Sequence, residues 1–359
     1  MDISVPDPRT VMPLIMEIES SFDGEKRKIS DWITDHRWEI TSNKQLVANR
    51  SDTNDIEILL IFLQNLLVRA MTGEAGIKTH TALKAAIKDK SCLNREVYEA
   101  ALEKANYRWG SKTGGTTIAK VVDYFGRRLK WNWQAYLDMA QTHKADNFQT
   151  DYLLTIKNIG YKVRDLALSS FDPSYAAFDL HVTRVATRIG LLNHGYDLLG
   201  EPNIEMGSNP ADEKNYLFLH KLFLKLSDLT GNEYAPADFD RAFWHLGRTF
   251  CGTAPACGRC PLHDHCLTGQ ALKERQPTAT GPGERHERSG CHGQGDIPLP
   301  YGGPDASFPS DQLVRHILAS GRDYIIVGGT AYSEPSLPLI PTQADHLFRA
   351  NLTSHSEAS

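Results

Sequence analysis

The chain has 359 residues, 41% of them hydrophobic, with 39 Lys and Arg against 44 Asp and Glu and a formal net charge of −5. That length suits two domains, or one large domain with a tail. The net acidity excludes a uniformly basic nucleic-acid binder but leaves a local basic patch open, and with no run of about eighteen apolar residues neither a transmembrane helix nor a membrane partner is expected.

Residues 11–18 and 29–38 fit helices, and the polar run 49–55 leads into the next, with Thr53 to Asp55 read as its cap. Residues 56–68 are apolar nearly all round, as befits a helix central to a core. Further helical patterns run over 79–88, 94–104, 116–130 and 133–142. No strand alternation interrupts them, so the region reads as all-α.

Residues 153–164 read as a helix, a tight turn and a second helix. Asn158 and Gly160 are residue types that tolerate a left-handed backbone. Ile156 and Ile159 flank the turn and can bury it. Val163, Leu166 and Ala167 then recur at helical spacing. With this hairpin, the stretch 55–173 holds about six helices. A helix N-terminus with free N–H groups is a ready phosphate site, and Lys162 sits in its first turn.

Residues 171–174 form a turn. Val182, Val185, Ala186 and Ile189 then mark a helix, with Asp179 at its N-cap and Gly190 at its C-cap. A long loop is expected over 196–212, then helices over 214–227 and 236–250. From about residue 276 the chain becomes rich in Gly, Pro, Ser and His. Disorder is expected through 309, followed by a short helix at 310–320 and a short strand at 324–327.

Four of the six cysteines stand as Cys251-x5-Cys257-x2-Cys260-x5-Cys266. Such clustering points to a metal site in a reducing compartment. Four close thiolates suit one tetrahedral zinc or one four-iron–four-sulfur cluster, and sulfur alone does not choose between them. Cys92 is isolated, buried or incidental, and Cys291 falls in the tail.

The run Ile156 to Lys162 resembles the hairpin of the helix-hairpin-helix DNA glycosylase superfamily, in particular its endonuclease III-like members. That hairpin reads Leu-Pro-Gly-Val-Gly-x-Lys; here Lys157 replaces the proline and Asn158 the first glycine. Asp179, His181 and Arg184 match the family's Asp-x-His-x-x-Arg. The cysteines match its iron–sulfur loop, spaced six, two and five in the family and one residue shorter here in the first gap.

The resemblance implies a two-lobed fold. A six-helix barrel (55–173) closes with the hairpin, a helical cluster lobe (174–272) packs with the N-terminal segment (1–54), and a low-complexity tail (273–359) follows. It further implies a base-excision glycosylase with abasic-site lyase activity on double-stranded DNA carrying a modified base, an oxidised pyrimidine by default. A monomer is expected, cytoplasmic, or nucleoid-associated in a bacterium.

Lys162 would be the nucleophile, since a helix N-terminus and a partly dry cleft disfavour its ammonium. The alternative is a solvated lysine near phosphate, which would leave a monofunctional glycosylase using water. Asp179 would face Lys162 and stabilise positive charge on the sugar, besides capping its helix. Lys157, Asn158 and Gly160 would meet the DNA backbone. Cys251, Cys257, Cys260 and Cys266 would hold a 4Fe-4S cluster, with zinc the alternative. His181 and Arg184 are expected to be structural or phosphate-facing. Core packing is expected of Tyr107 and Trp109, with stacking of one of them on a flipped base the alternative, and Arg69 or Met71 could fill the gap left by an extruded base. The rival class is a non-catalytic DNA-binding module.

Overall fold

Short polar side chains set where several helices begin, by accepting N–H groups that the first turn leaves unpaired. Ser51, Asn94, Asp179 and Asp212 each do so. In the computed structural model, residues 5–22, 25–68, 73–143, 150–199, 204, 210 and 212–274 are described, with strands at 325–327 and 330–332.

The order is helix α1 (Pro8–Met16), an antiparallel hairpin of β1 (Glu19–Phe22) and β2 (Glu25–Lys28), then α2 (Ile29–Ala48). Next come α3 (Asp52–Leu66), α4 (Gly73–Ala86), α5 (Arg95–Lys104), α6 (Ser111–Asp123) and α7 (Trp133–His143). They are followed by α8 (Tyr161–Leu168), α9 (Leu180–Ile189), α10 (Tyr196–Leu199), α11 (Glu213–Leu229), α12 (Pro236–Thr249) and α13 (Leu267–Glu274). Strands β3 (Ile325–Val327) and β4 (Thr330–Tyr332) pair antiparallel. The described chain is mostly helical, and no described helix is long and apolar enough to cross a membrane.

Two buried clusters organise the helices. One gathers α1, the start of α2, α9, α11 and α12, with Phe178, Phe223, Phe239 and Phe243 at its centre. The other gathers α3 to α8, with Phe62 stacked on Trp133 and on Phe171, at ring centroids 5.3 and 5.0 Å away. Helix α2 spans both, since Ile29 and Ile33 join the first and Val47 the second. The changeover after the hairpin falls between Tyr175 and Ala176.

Several boundaries differ from the sequence reading. The first helix starts earlier, because Asp7 caps it and Pro8 suits its first turn. Residues 19–22 and 25–28 pair as antiparallel strands, which their short polar sequences did not advertise. Thr53 to Asp55 do not cap α3. Ser51 does so, through the Asn54 N–H at 3.1 Å. Asp55 is instead buried, accepting Trp133 Nε1 at 3.0 Å and Lys90 Nζ at 2.8 Å. Helix α6 begins early and runs into a π-turn, Tyr124–Arg128. Gly114 lets α5 approach, for a Cβ there would lie 2.5 Å from Leu102 Cδ1. The loop expected from 196 opens with α10, and α13 closes the described chain unforeseen. Cys92 is half-buried in a 3₁₀ turn. The segment 276–320, with Cys291, lies outside the described residues, as do Arg69 and Met71.

Candidate active site

The hairpin is built from a 3₁₀ turn (Tyr152–Thr155), a β-turn and α8. Its first arm is therefore not an α-helix. Asp151 caps that arm through the Leu153 N–H at 2.8 Å. Ile159 N donates to the Ile156 carbonyl at 3.0 Å, and Asn158 between them has φ 78°. A positive φ at the third position is the type II pattern, which Asn satisfies. Ile156 and Ile159 are both buried.

Gly160 is not left-handed; its φ of −104° and ψ of 178° are extended. What distinguishes it is space, since a Cβ there would meet nothing within 4 Å. No side chain caps α8. The turn thus leaves a helix N-terminus open where Lys157 and Gly160 are exposed and Asn158 half-buried. Such a terminus attracts anions.

Helix α8 lies along the seam of the two clusters. Val163, Ala167 and Leu168 face one, while Tyr161 packs on the other, 5.1 Å from Tyr216 ring to ring. Lys162 projects from this seam, its side chain 43% exposed. Asp179 opens α9 from the other side. Its Oδ1 accepts the His181 and Val182 N–H groups at 2.8 and 3.0 Å. Its Oδ2 accepts Lys162 Nζ at 3.2 Å. One carboxylate therefore caps a helix and meets the amine at once.

A buried network braces the hairpin. Arg164 Nε donates to Asp165 Oδ1 at 2.6 Å, and its Nη1 lies 3.8 Å from Asp151 Oδ2. Tyr136 donates to the same Oδ2 at 2.9 Å. Burial alone would lower the Arg164 pKa, but the charges of Asp165 and Asp151 win and raise it. Burial raises the Asp165 carboxyl despite Arg164.

His181 packs against α12, where Gly247 leaves room; a Cβ there would sit 2.9 Å from His181 Cβ. Arg184 is buried, and its charge bears on both the His181 ring and the Cys251 thiol. Tyr107 is core, its hydroxyl donating to the Leu67 carbonyl at 3.3 Å. Trp109, expected in the core, is 40% exposed, with the Arg108 guanidinium 5.3 Å from its ring. Gly110 follows with φ 83° and precedes α6.

Cys251, Cys257, Cys260 and Cys266 line one small pocket, together with Arg188, Phe250 and Leu262. Among the described residues, no three His, Cys, Asp or Glu side chains converge as a single-ion site. The thiols stand around a space. Burial pushes the Cys260 thiol up to about 11 and the Cys266 thiol up to about 12, and raises Cys251 and Cys257 also. Thiolates at these positions need a cationic partner. Donors for them are in place: Gly269 N reaches Cys266 Sγ at 3.3 Å and Arg188 Nη1 reaches Cys251 Sγ at 3.7 Å. Arg188 also donates to the Thr253 carbonyl at 3.0 Å, tying the loop to α9. Four thiols on one loop, two of them with N–H donors beside the sulfur, are a donor set of the kind that a four-cysteine zinc or cluster site uses.

Two residues escaped the sequence reading. Arg188, in the last turn of α9, was not singled out in the sequence. Asp240 was not singled out either, although its spacing to Phe243 and Gly247 marks the buried face of α12. Its carboxyl accepts the Ala177 N–H at 2.9 Å. No family model matches this chain, and a search of curated proteins returns no significant match.

Proposed function

We propose that the protein is a helix-hairpin-helix DNA glycosylase with abasic-site lyase activity, acting on duplex DNA that carries a modified base. The observation that carries this reading is the Lys162–Asp179 contact at 3.2 Å, on two helix N-termini where the two clusters adjoin. Amine and carboxylate within hydrogen-bond reach is the geometry a nucleophile and its base require.

In this reaction the neutral Lys162 amine attacks C1′ of the deoxyribose. The new N–C1′ bond forms as the bond to the base breaks, and the base leaves with the electron pair. Asp179 stabilises positive charge on the sugar and takes a proton from the amine. The ring then opens at C1′–O4′, the proton held by Asp179 passing to O4′, which leaves a Schiff base between C1′ and Lys162; loss of its C2′ proton expels the 3′ phosphate and nicks the strand. The open N-terminus of α8, with Lys157, Asn158 and Gly160 before it, would hold backbone phosphate. Cys251, Cys257, Cys260 and Cys266 would hold a 4Fe-4S cluster that braces the loop, with no part in bond cleavage.

The same ion pair suits a lysine that only steadies phosphate while water attacks. Borohydride reduction separates the two readings. The test uses a panel of duplexes, each with one altered base or an abasic site, and compares wild type with Lys162→Ala. A borohydride-stable adduct in wild type and none in the variant is expected. Base release without an adduct would establish the monofunctional reaction, and no activity on any duplex, unchanged by Lys162→Ala, would leave a binding module.

A further inference from the structure

The four cysteines share one loop, but a loop of sixteen residues does not by itself hold its two ends together. One residue of α9 touches both. Arg188 is 6% exposed and lies in the last turn of that helix. Its guanidinium donates to the Gly252 carbonyl and, at 3.0 Å, to the Thr253 carbonyl, and it reaches Cys251 Sγ at 3.7 Å. Its own main-chain carbonyl accepts the Thr268 hydroxyl at 3.0 Å and lies 3.6 Å from Cys266 Sγ. The side chain thus grips the loop at its first cysteine, and the backbone grips it at its last.

The packing behind the second grip is close. Gly190, two residues on, lies so near Leu267 that a Cβ there would come within 2.3 Å of Leu267 Cδ1. Gly269 N donates to Cys266 Sγ at 3.3 Å, so both terminal sulfurs receive an N–H. Arginine suits the first grip because its planar fork serves two carbonyls and a sulfur at once, whereas a lysine ammonium is a single point of charge.

We propose that Arg188 is the positioning residue of the four-cysteine site, fixing Cys251 against Cys266 and so setting how firmly a metal is retained there. The inference rests on the reading of these cysteines as metal ligands, for a cluster or for zinc. A ligand set closed by the loop alone would open from either end and admit water or a chelator. Groups that orient metal ligands from behind change metal affinity by about 10–100-fold.

The test uses the full chain purified without oxygen, its iron and zinc counted by elemental analysis. Metal release to a chromogenic chelator is timed. Labelling of each cysteine by iodoacetamide is followed by peptide mass spectrometry, with half-buried Cys92 as internal reference. Arg188→Met keeps the apolar stem and removes the donors to residues 251–253. Thr268→Val keeps the side chain's shape and removes the hydroxyl at the other end, and it tests the grip alone should Arg188→Met fail to fold. Metal should leave Arg188→Met about tenfold faster than wild type, and Thr268→Val faster by a smaller factor. The order of labelling is the signature: Cys251 should lead in Arg188→Met and Cys266 in Thr268→Val. Arg188→Lys should recover part of the retention. A general loosening of the fold would raise all four cysteines together and lower the urea midpoint. Wild-type release rates in the folded variants, or four cysteines labelled in step, would overturn the proposal and leave the metal site standing. A wild type that carries neither iron nor zinc would overturn the metal reading and this role with it.

Discussion

Asp179 serves two tasks with two oxygens, so two substitutions should separate them. Asp179→Ala removes both the cap and the charge. It strands the His181 and Val182 N–H groups, and Val182 is fully buried. Losing an N-cap costs about 1 kcal/mol and up to about 2; a stranded buried donor places this case at the upper end. Asp179→Asn keeps an equally ranked cap. It loses only a negative charge at a helix N-terminus, worth about 0.3–1 kcal/mol. The partly exposed contact to Lys162 adds little. Urea unfolding should therefore show Asp179→Ala less stable by about 2 kcal/mol and Asp179→Asn by no more than about 1 kcal/mol. Borohydride trapping should fail in both. Equal destabilisation of the two variants would refute the division of labour between the oxygens, and wild-type trapping by Asp179→Asn would refute its chemical role.

Asp240 also makes a stability prediction. Its folded pKa of about 7 lies above the ordinary 3.8, so the folded state holds the proton more tightly. Its contribution is complete below pH 4 and is lost as pH rises through about 7. A shift of that size corresponds to roughly 4 kcal/mol at most. Urea titrations between pH 4 and 8.5 should show Asp240→Asn gaining on wild type as pH rises; parallel curves would contradict the raised value. Gly190→Ala should destabilise by about 2–4 kcal/mol, because φ is +102° there and a Cβ would lie 2.3 Å from Leu267 Cδ1. A melting temperature unchanged by that substitution would refute the packing. Protein purified without oxygen should carry iron and sulfide and absorb in the blue-visible region. Cys260→Ser should lose that band, and stoichiometric zinc with no iron in wild type would exclude the cluster.

The parts of the site legible beforehand are those governed by near neighbours in the chain. Asp179 and Gly190 bracket α9 as expected because a cap depends on the residues two to four away. Asn158 takes the positive φ that its short polar side chain permits. Four cysteines within sixteen residues already confined any shared ligand to one loop. Gly160 was misjudged because a glycine serves either a left-handed backbone or open space, and the sequence does not distinguish them. Residues 19–28 were missed because a hairpin is held by its cross-strand register, here Glu19 to Lys28, rather than by an apolar pattern.

By itself, then, the sequence determined most of the helices, the caps of α9, the hairpin turn and the grouping of the cysteines, all set by local backbone preference and by apolar spacing. Tertiary structure decided that α8 runs along the seam between two cores, that Lys162 Nζ stands 3.2 Å from Asp179 Oδ2, and that Asp240 reaches back 63 residues to Ala177. Such contacts arise only when distant helices bury their apolar faces together. The geometry of that packing depends on the shapes of many side chains at once, and no short stretch of chain encodes it.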